Sequence, residues 1–156
     1  MLYVFDTNSF LILQSYTPGS FQSFWTEFDA SVARGEIISV KEVLRELKSQ
    51  VRKTWFQAWL KQKKSLFLAP TKAEGVIVAD IFKVGHFQNL VGQQQMLKGG
   101  PAADPFVIAC AKSRKGCVVT EEVRKPNSAK IPNVCDKFSV DCICFEDFLG
   151  RQGWKF

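Results

Sequence analysis

Histidine is nearly absent from this chain: of its 156 residues only His86 is one. With no paired C-x-x-C and no histidine near Cys135, Cys142 and Cys144, a zinc site built on those thiols is disfavoured. No apolar run approaches the ~18–20 residues that cross a bilayer, so no membrane partner is expected. The first apolar segment is short and ends in Asp6, which reads as a buried strand and not an export signal. A cytoplasmic protein is the expectation. Glycine-rich phosphate loops are missing after that segment, and no second Asp follows Asp6 two residues on. Both absences weigh against a phosphate-handling Rossmann-like enzyme with Asp6 as nucleophile. Repeats, low-complexity tracts and Pro/Gly/Ser linkers are also lacking, so residues 1–156 read as one domain, a size that buries a real core.

What is present is ordinary in bulk, 46% hydrophobic and 23% charged, and uneven in detail. Cys110, Cys117, Cys135, Cys142 and Cys144 lie in apolar surroundings and read as reduced thiols serving as small core residues. Residues 41–64 carry Lys41, Arg45, Lys48, Arg52, Lys53, Lys61, Lys63 and Lys64 against Glu42 and Glu46 alone, which equals the whole formal net charge of +6. Such a stretch is either a solvated helix face or a track for a polyanion.

Strands and helices alternate. Leu2 to Phe5 is an apolar strand, and Phe10 to Tyr16 begins a helical return broken by Thr17-Pro18-Gly19-Ser20. Phe21, Phe24, Trp25 and Phe28 space a helix from Ser20 to Arg34, with Gly35 as its stop. Glu36 to Val40 is a second strand. The helix from Lys41 to about Arg52 has Val43, Leu44, Leu47 and Val51 on one stripe. Trp55, Phe56, Trp59 and Leu60 continue a helical apolar surface, either core or a partner interface. Ser65 to Leu68 is a short strand or connection. Thr71 to about Leu97 is helical, weakened by Gly75, Gly85 and Gly92, and Lys98-Gly99-Gly100-Pro101 is a loop. Asp104 to Lys115 is apolar nearly all round, hence a buried helix, and Cys117–Thr120 and Asp141–Phe145 are further strands. The alternation implies a three-layer α/β/α fold around a central parallel sheet of four to five strands.

Four acidic residues fall where a strand ends or a helix begins: Asp6, Glu46, Asp104 and Glu122. Each has a bland reading. Asp6 suits a helix N-cap or Asx turn, and Asp104 before Pro105 an N-cap with proline in the first helical position. Glu46 suits a solvated helix, a place Glu42 fills equally well. Of Glu121 and Glu122, one points into the crevice. Their joint placement is the informative part, because ligands of open α/β sheets bind at the carboxyl ends of the strands. Carboxylates gathered there repel one another unless a cation joins them, and Mg²⁺ or Mn²⁺ prefers oxygen ligands. The arrangement points to a metal-dependent nuclease.

The order Phe5-Asp6-Thr7-Asn8, Val43-x-x-Glu46-Leu47, Ala103-Asp104-x-x-Ile108-Ala109-x-Ala111 and Val118-Val119-Thr120-x-Glu122 resembles the PIN domain family, which includes VapC-type toxins and other metal-dependent ribonucleases. The likeness runs from residue 2 to about 145. Lys130-Ile131-Pro132-Asn133-Val134-Cys135 and the Trp25 region resemble a bacterial PIN-like branch apart from the standard VapC pattern. The resemblance implies that Asp6, Glu46 and Asp104 ligate or orient the metal, with Glu122 at a fourth position usually filled by Asp. Its extra methylene displaces the carboxylate by about 1–1.5 Å, so Glu122 either acts through water or gives way to Glu121. Asn8 and Thr120 match polar positions that steady the cluster.

The implied reaction is hydrolysis of RNA phosphodiesters, with Lys41, Arg45, Lys48, Arg52 and Lys53 as candidates for the phosphate backbone. Implied partners are single-stranded or looped RNA, a small antitoxin protein and, as often in the family, a second copy in a homodimer. Trp55, Phe56 and Trp59 would form the antitoxin's groove if they are not core. A second reading is a catalytically weak PIN-like module that binds RNA or protein, favoured by the glutamate at position 122.

Overall fold

The structure is a computed structural model that describes residues 1–85, 87 and 103–156. Five strands, β1 (Tyr3–Phe5), β2 (Ile37–Val40), β3 (Phe67–Leu68), β4 (Cys117–Val119) and β5 (Asp141–Ile143), form one sheet in the order β3-β2-β1-β4-β5. All its pairings are parallel. Central β1 reads as continuous apolar sequence because helices cover both of its faces. Tyr3 faces Ile37 on one side and Cys117 on the other, and Phe5 faces Val119. The order reverses between β1 and β4, and the gap opened there is where such sheets bind ligands.

The helices are α1 (Thr7–Leu13), α2 (Gln22–Ala33), α3 (Lys41–Gln50), α4 (Thr54–Gln62), α5 (Lys72–Lys83), α6 (Ala103–Arg114), α7 (Ile131–Phe138) and α8 (Phe145–Gln152). Together with the sheet they make the expected three-layer α/β/α arrangement. Phe5 meets Phe10 of α1, Phe28 of α2 and Phe148 of α8, ring centroids 5.1–5.7 Å apart. Helix α6 lies against β1, β2 and β4, with α5 and α7 beside it. Its Val107 to Ala111 are fully buried, as its all-round apolarity requires.

Several boundaries differ from the sequence reading for definable reasons. Helix α1 begins at Thr7, three residues before Phe10, because the Asp6 carboxylate accepts the Ser9 N–H and starts the helix at once. Gly35, with φ of 73°, ends α2 where expected. Helix α5 opens with a capping box between Thr71 and Glu74. The rest of the helix expected to Leu97, and the Lys98–Pro101 loop, fall outside the described residues apart from positions 84, 85 and 87. Asp104 is not the N-cap of its helix: α6 already includes Ala103, so Asp104 is in the first turn. Phe56 and Trp59 stack at 5.5 Å and are buried, and the Trp59 indole N–H donates to Asp29 at 2.9 Å. These rings are core, which removes the aromatic docking surface.

Candidate functional site

The end of β1 is fastened to the end of β4 by polar groups. The Asp6 N–H donates to the Val119 carbonyl at 3.1 Å, and the Ser9 hydroxyl donates to the same carbonyl at 2.7 Å. One Asp6 oxygen accepts the Ser9 N–H at 2.8 Å; the other accepts the Thr120 hydroxyl at 2.5 Å. Asp6 is 2% exposed. Burial raises its pKa to about 6, against the pull of the Thr120 and Ser9 hydrogen bonds and with a further push from the Glu122 charge.

The other three carboxylates come from separate elements. Glu46, on α3, accepts from the Thr7 hydroxyl and from the Ala103 N–H, and burial raises its pKa. Glu122, in the loop after β4, accepts the Ile131 N–H at 2.7 Å and so holds the start of α7. Its own N–H donates to the Thr120 hydroxyl oxygen at 3.1 Å. Asp104 feels all of them: burial first, then the charges of Glu122, Asp6 and Glu46, push its carboxyl well above the usual range, opposed by Lys130. No hydrogen bond reaches the Asp104 side chain among the described residues. The four acids singled out from sequence therefore share one electrostatic pocket at the β1/β4 gap.

The supporting residues divide. Thr120, 1% exposed, bridges Asp6 and Glu122. Asn8 does not steady the cluster: it is exposed, and its buried neighbours Thr7 and Ser9 take that role because the helix starting at Thr7 turns them inward. Glu121 turns to α8, accepting the Phe145 N–H at 2.7 Å. Glu42 is buried one turn before Glu46, near Cys110 of α6, its Oε2 without a hydrogen-bond partner among the described residues. Lys41, Arg45, Lys48, Arg52 and Lys53 are all exposed. Residues missed in the sequence reading are Thr7, Ser9 and Lys130. Ser9 had a signal, being the third residue after an N-cap; Lys130 had none.

Among the described residues no three carboxylates, thiols or imidazoles stand close enough to form a complete metal ligand set. The chemistry of the pocket nonetheless fits a hard divalent cation. Its ligand atoms are all oxygen, its charges are crowded, and Asp104 has no hydrogen-bond donor among the described residues. An ion of the Mg²⁺ type keeps most of its waters and needs only one or two direct carboxylates.

A family model described as a domain of unknown function, DUF4411, matches residues 3–156. The chain belongs to the DUF4411 family. No curated protein matches it. Among solved structures, the DUF4411 chain is similar to FitAcB from Neisseria gonorrhoeae, at 15% identity over 91% of this chain and 96% of that one, TM-score 0.51. It is also similar to VapBC2 from Rickettsia felis bound to a DNA fragment from their promoter, at 14% identity over 93% and 99%, TM-score 0.51. What is shared at such identity is the fold, and that fold is PIN-like. No helix among the described residues is long and apolar enough to cross a membrane.

Proposed function

We propose that this DUF4411 protein is a divalent-metal-dependent ribonuclease, acting as the toxin of a bacterial toxin–antitoxin pair in the cytoplasm. One observation supports the reading: Asp104 bears the charges of Glu122, Asp6 and Glu46, which come from three other segments.

Asp6 and Asp104 would hold Mg²⁺ or Mn²⁺ directly, with Glu46 and Glu122 acting through water. Such an ion supplies charge neutralisation at the scissile phosphate and acidifies a bound water. Thr120 and Ser9 fix the Asp6 oxygens, so the carboxylate cannot rotate away. Thr7 does the same for Glu46. Lys130, the cation that opposes the other charges at Asp104, is the group we assign to a phosphate oxygen. Lys41, Arg45, Arg52 and Lys53 are the groups we assign to the backbone of a single-stranded or looped RNA. An antitoxin protein and a second copy of the chain complete the expected partners.

Purified protein should cleave single-stranded RNA in Mn²⁺ and stop in chelator. Asp104→Asn, folded by circular dichroism, should not cleave; cleavage by that variant at the parent's rate would end the proposal. Induced expression should slow growth, and Asp6→Asn should relieve it.

A second reading, a binding module with weak chemistry, draws on the incomplete ligand set and on Glu122 being occupied by the Ile131 N–H. A protein that binds RNA with Mn²⁺ present but leaves it intact would favour it.

A further inference from the structure

Three lysines of the basic stretch line a hollow that the nuclease reading does not use. Between α3 and α4 a groove of about 250 Å³ is floored by Leu44, Leu47, Val51 and Leu60. Lys48, Lys61 and Lys64 line its edge. None of these three lysines lies within ion-pair distance of a carboxylate among the described residues. We propose that this groove docks an acidic amphipathic helix of a protein partner, its aliphatic side chains on the leucine floor and its carboxylates on the three lysines.

The chemistry of the hollow selects that occupant. The volume falls short of the ~300–1,000 Å³ that encloses small molecules but accommodates side chains from a helix laid along it. The floor is aliphatic, so it lacks the aromatic faces on which bases of single-stranded RNA stack, and burying phosphates against leucine costs their hydration. A second copy of this chain fits poorly, because a two-fold contact through this face sets like charges against each other. An acidic helix meets both demands at once: apolar contact below and opposite charge at the rim. Leu44 and Glu46 are two residues apart on α3 and so face roughly opposite ways. The docking groove and the acidic pocket thus lie on two sides of one helix.

The test uses the whole protein and a labelled peptide of about four helical turns, with leucines on one face and glutamates flanking them, followed by fluorescence anisotropy. A peptide with lysines in place of the glutamates, and an oligouridine competitor, complete the set. The acidic peptide should bind, at least about tenfold more tightly than its lysine counterpart, and Lys61→Glu with Lys64→Glu should weaken it by a similar factor. Both substituted positions are exposed, and circular dichroism confirms folding. No binding, equal binding of the two peptides, or indifference to the double substitution overturns the proposal. Displacement by oligouridine would reassign the groove to RNA, and dimerisation lost in the double variant would reassign it to a second copy. No readout involves cleavage, so this proposal and the nuclease reading fail separately.

Discussion

Two regions of this molecule gather like charges, and they do so under opposite conditions. At the β1/β4 gap four carboxylates are drawn into a largely buried pocket, where hydroxyl and backbone donors tie down Asp6, Glu46 and Glu122. On α3 and α4 the cations are exposed, and solvent screens charges separated by more than ~8–10 Å at ordinary salt. Crowding therefore costs free energy in the pocket and little on the shoulder. Burial raises the carboxylate pKa values at Asp6, Glu46 and Asp104, and neighbouring negative charges push Asp6 and Asp104 further. On the proposed reading, a cation in the pocket would restore stability, and an anion on the shoulder would bind with strong salt dependence.

The sharpest way to break this contrast is to remove one carboxylate. Asp104→Asn should lower RNA cleavage by more than the ~10–100-fold typical of groups that only support a metal ligand. It should also abolish the rise in melting temperature on adding Mn²⁺, while Lys61→Glu with Lys64→Glu leaves that rise intact. If the lysine variant loses the Mn²⁺ response too, the two regions are not independent.

A second test reads the stored cost directly. Burial holds the folded-state pKa of Asp6 at about 6, above its ordinary 3.8, so the folded protein binds this proton more tightly than the unfolded chain. Its favourable contribution is complete below about pH 4 and is lost as pH rises through about 6. A difference of roughly two pKa units corresponds to about 3 kcal/mol. In chelator, urea denaturation should show stability falling across that window, with Asp104 and Glu46 adding to the same trend. Asp6→Asn keeps the oxygen that accepts from Ser9, and above pH 6 it should be more stable than the parent by up to about 3 kcal/mol. Saturating Mn²⁺ should flatten the parent's decline. Equal pH profiles for parent and variant would mean that the pocket is wetter than its geometry indicates.

Glu122 gives a smaller effect of a different kind. Its carboxylate serves the pocket as charge and α7 as a cap at the Ile131 N–H. Glu122→Ala should cost about 1 kcal/mol, as lost caps do, whereas Glu122→Gln keeps the acceptor and should be nearly neutral. Both substitutions lower the Asp104 pKa by removing a negative neighbour, which a pH titration of cleavage or of Mn²⁺ binding would detect. A destabilised Glu122→Gln would show that charge, not capping, holds α7.

Much of the fold was legible because local signals agreed with it. The apolar run into Asp6, Gly35 at a left-handed position and the all-round apolarity of residues 106–111 each had one structural solution. What escaped was partner choice. Asn8 and Ser9 both suit a helix start, and only the position of β4 decides that Ser9 turns inward. Glu121 and Glu122 are adjacent and chemically equal, yet one holds α8 and the other α7. Trp55, Phe56 and Trp59 read as interface or core until α2 supplied Trp25 and Phe28 against Trp55 and Trp59, with Phe56 stacked on Trp59. Lys130 lies well separated in sequence from Asp104 and was invisible without tertiary structure.

The subtlest expected difference lies within the shoulder itself. Arg45 and Lys48 are both exposed on α3, but Lys48 lines the leucine groove and Arg45 does not. For single-stranded RNA each phosphate contact contributes about −0.7 to the slope of log affinity against log salt. Arg45→Ala, on a background of Asp104→Asn to prevent cleavage, should therefore make the slope shallower by about 0.7. Lys48→Ala should leave it almost unchanged while weakening the acidic peptide. Equal changes in slope for the two variants would merge groove and RNA track into one polyanion surface, and the division drawn along α3 would fall.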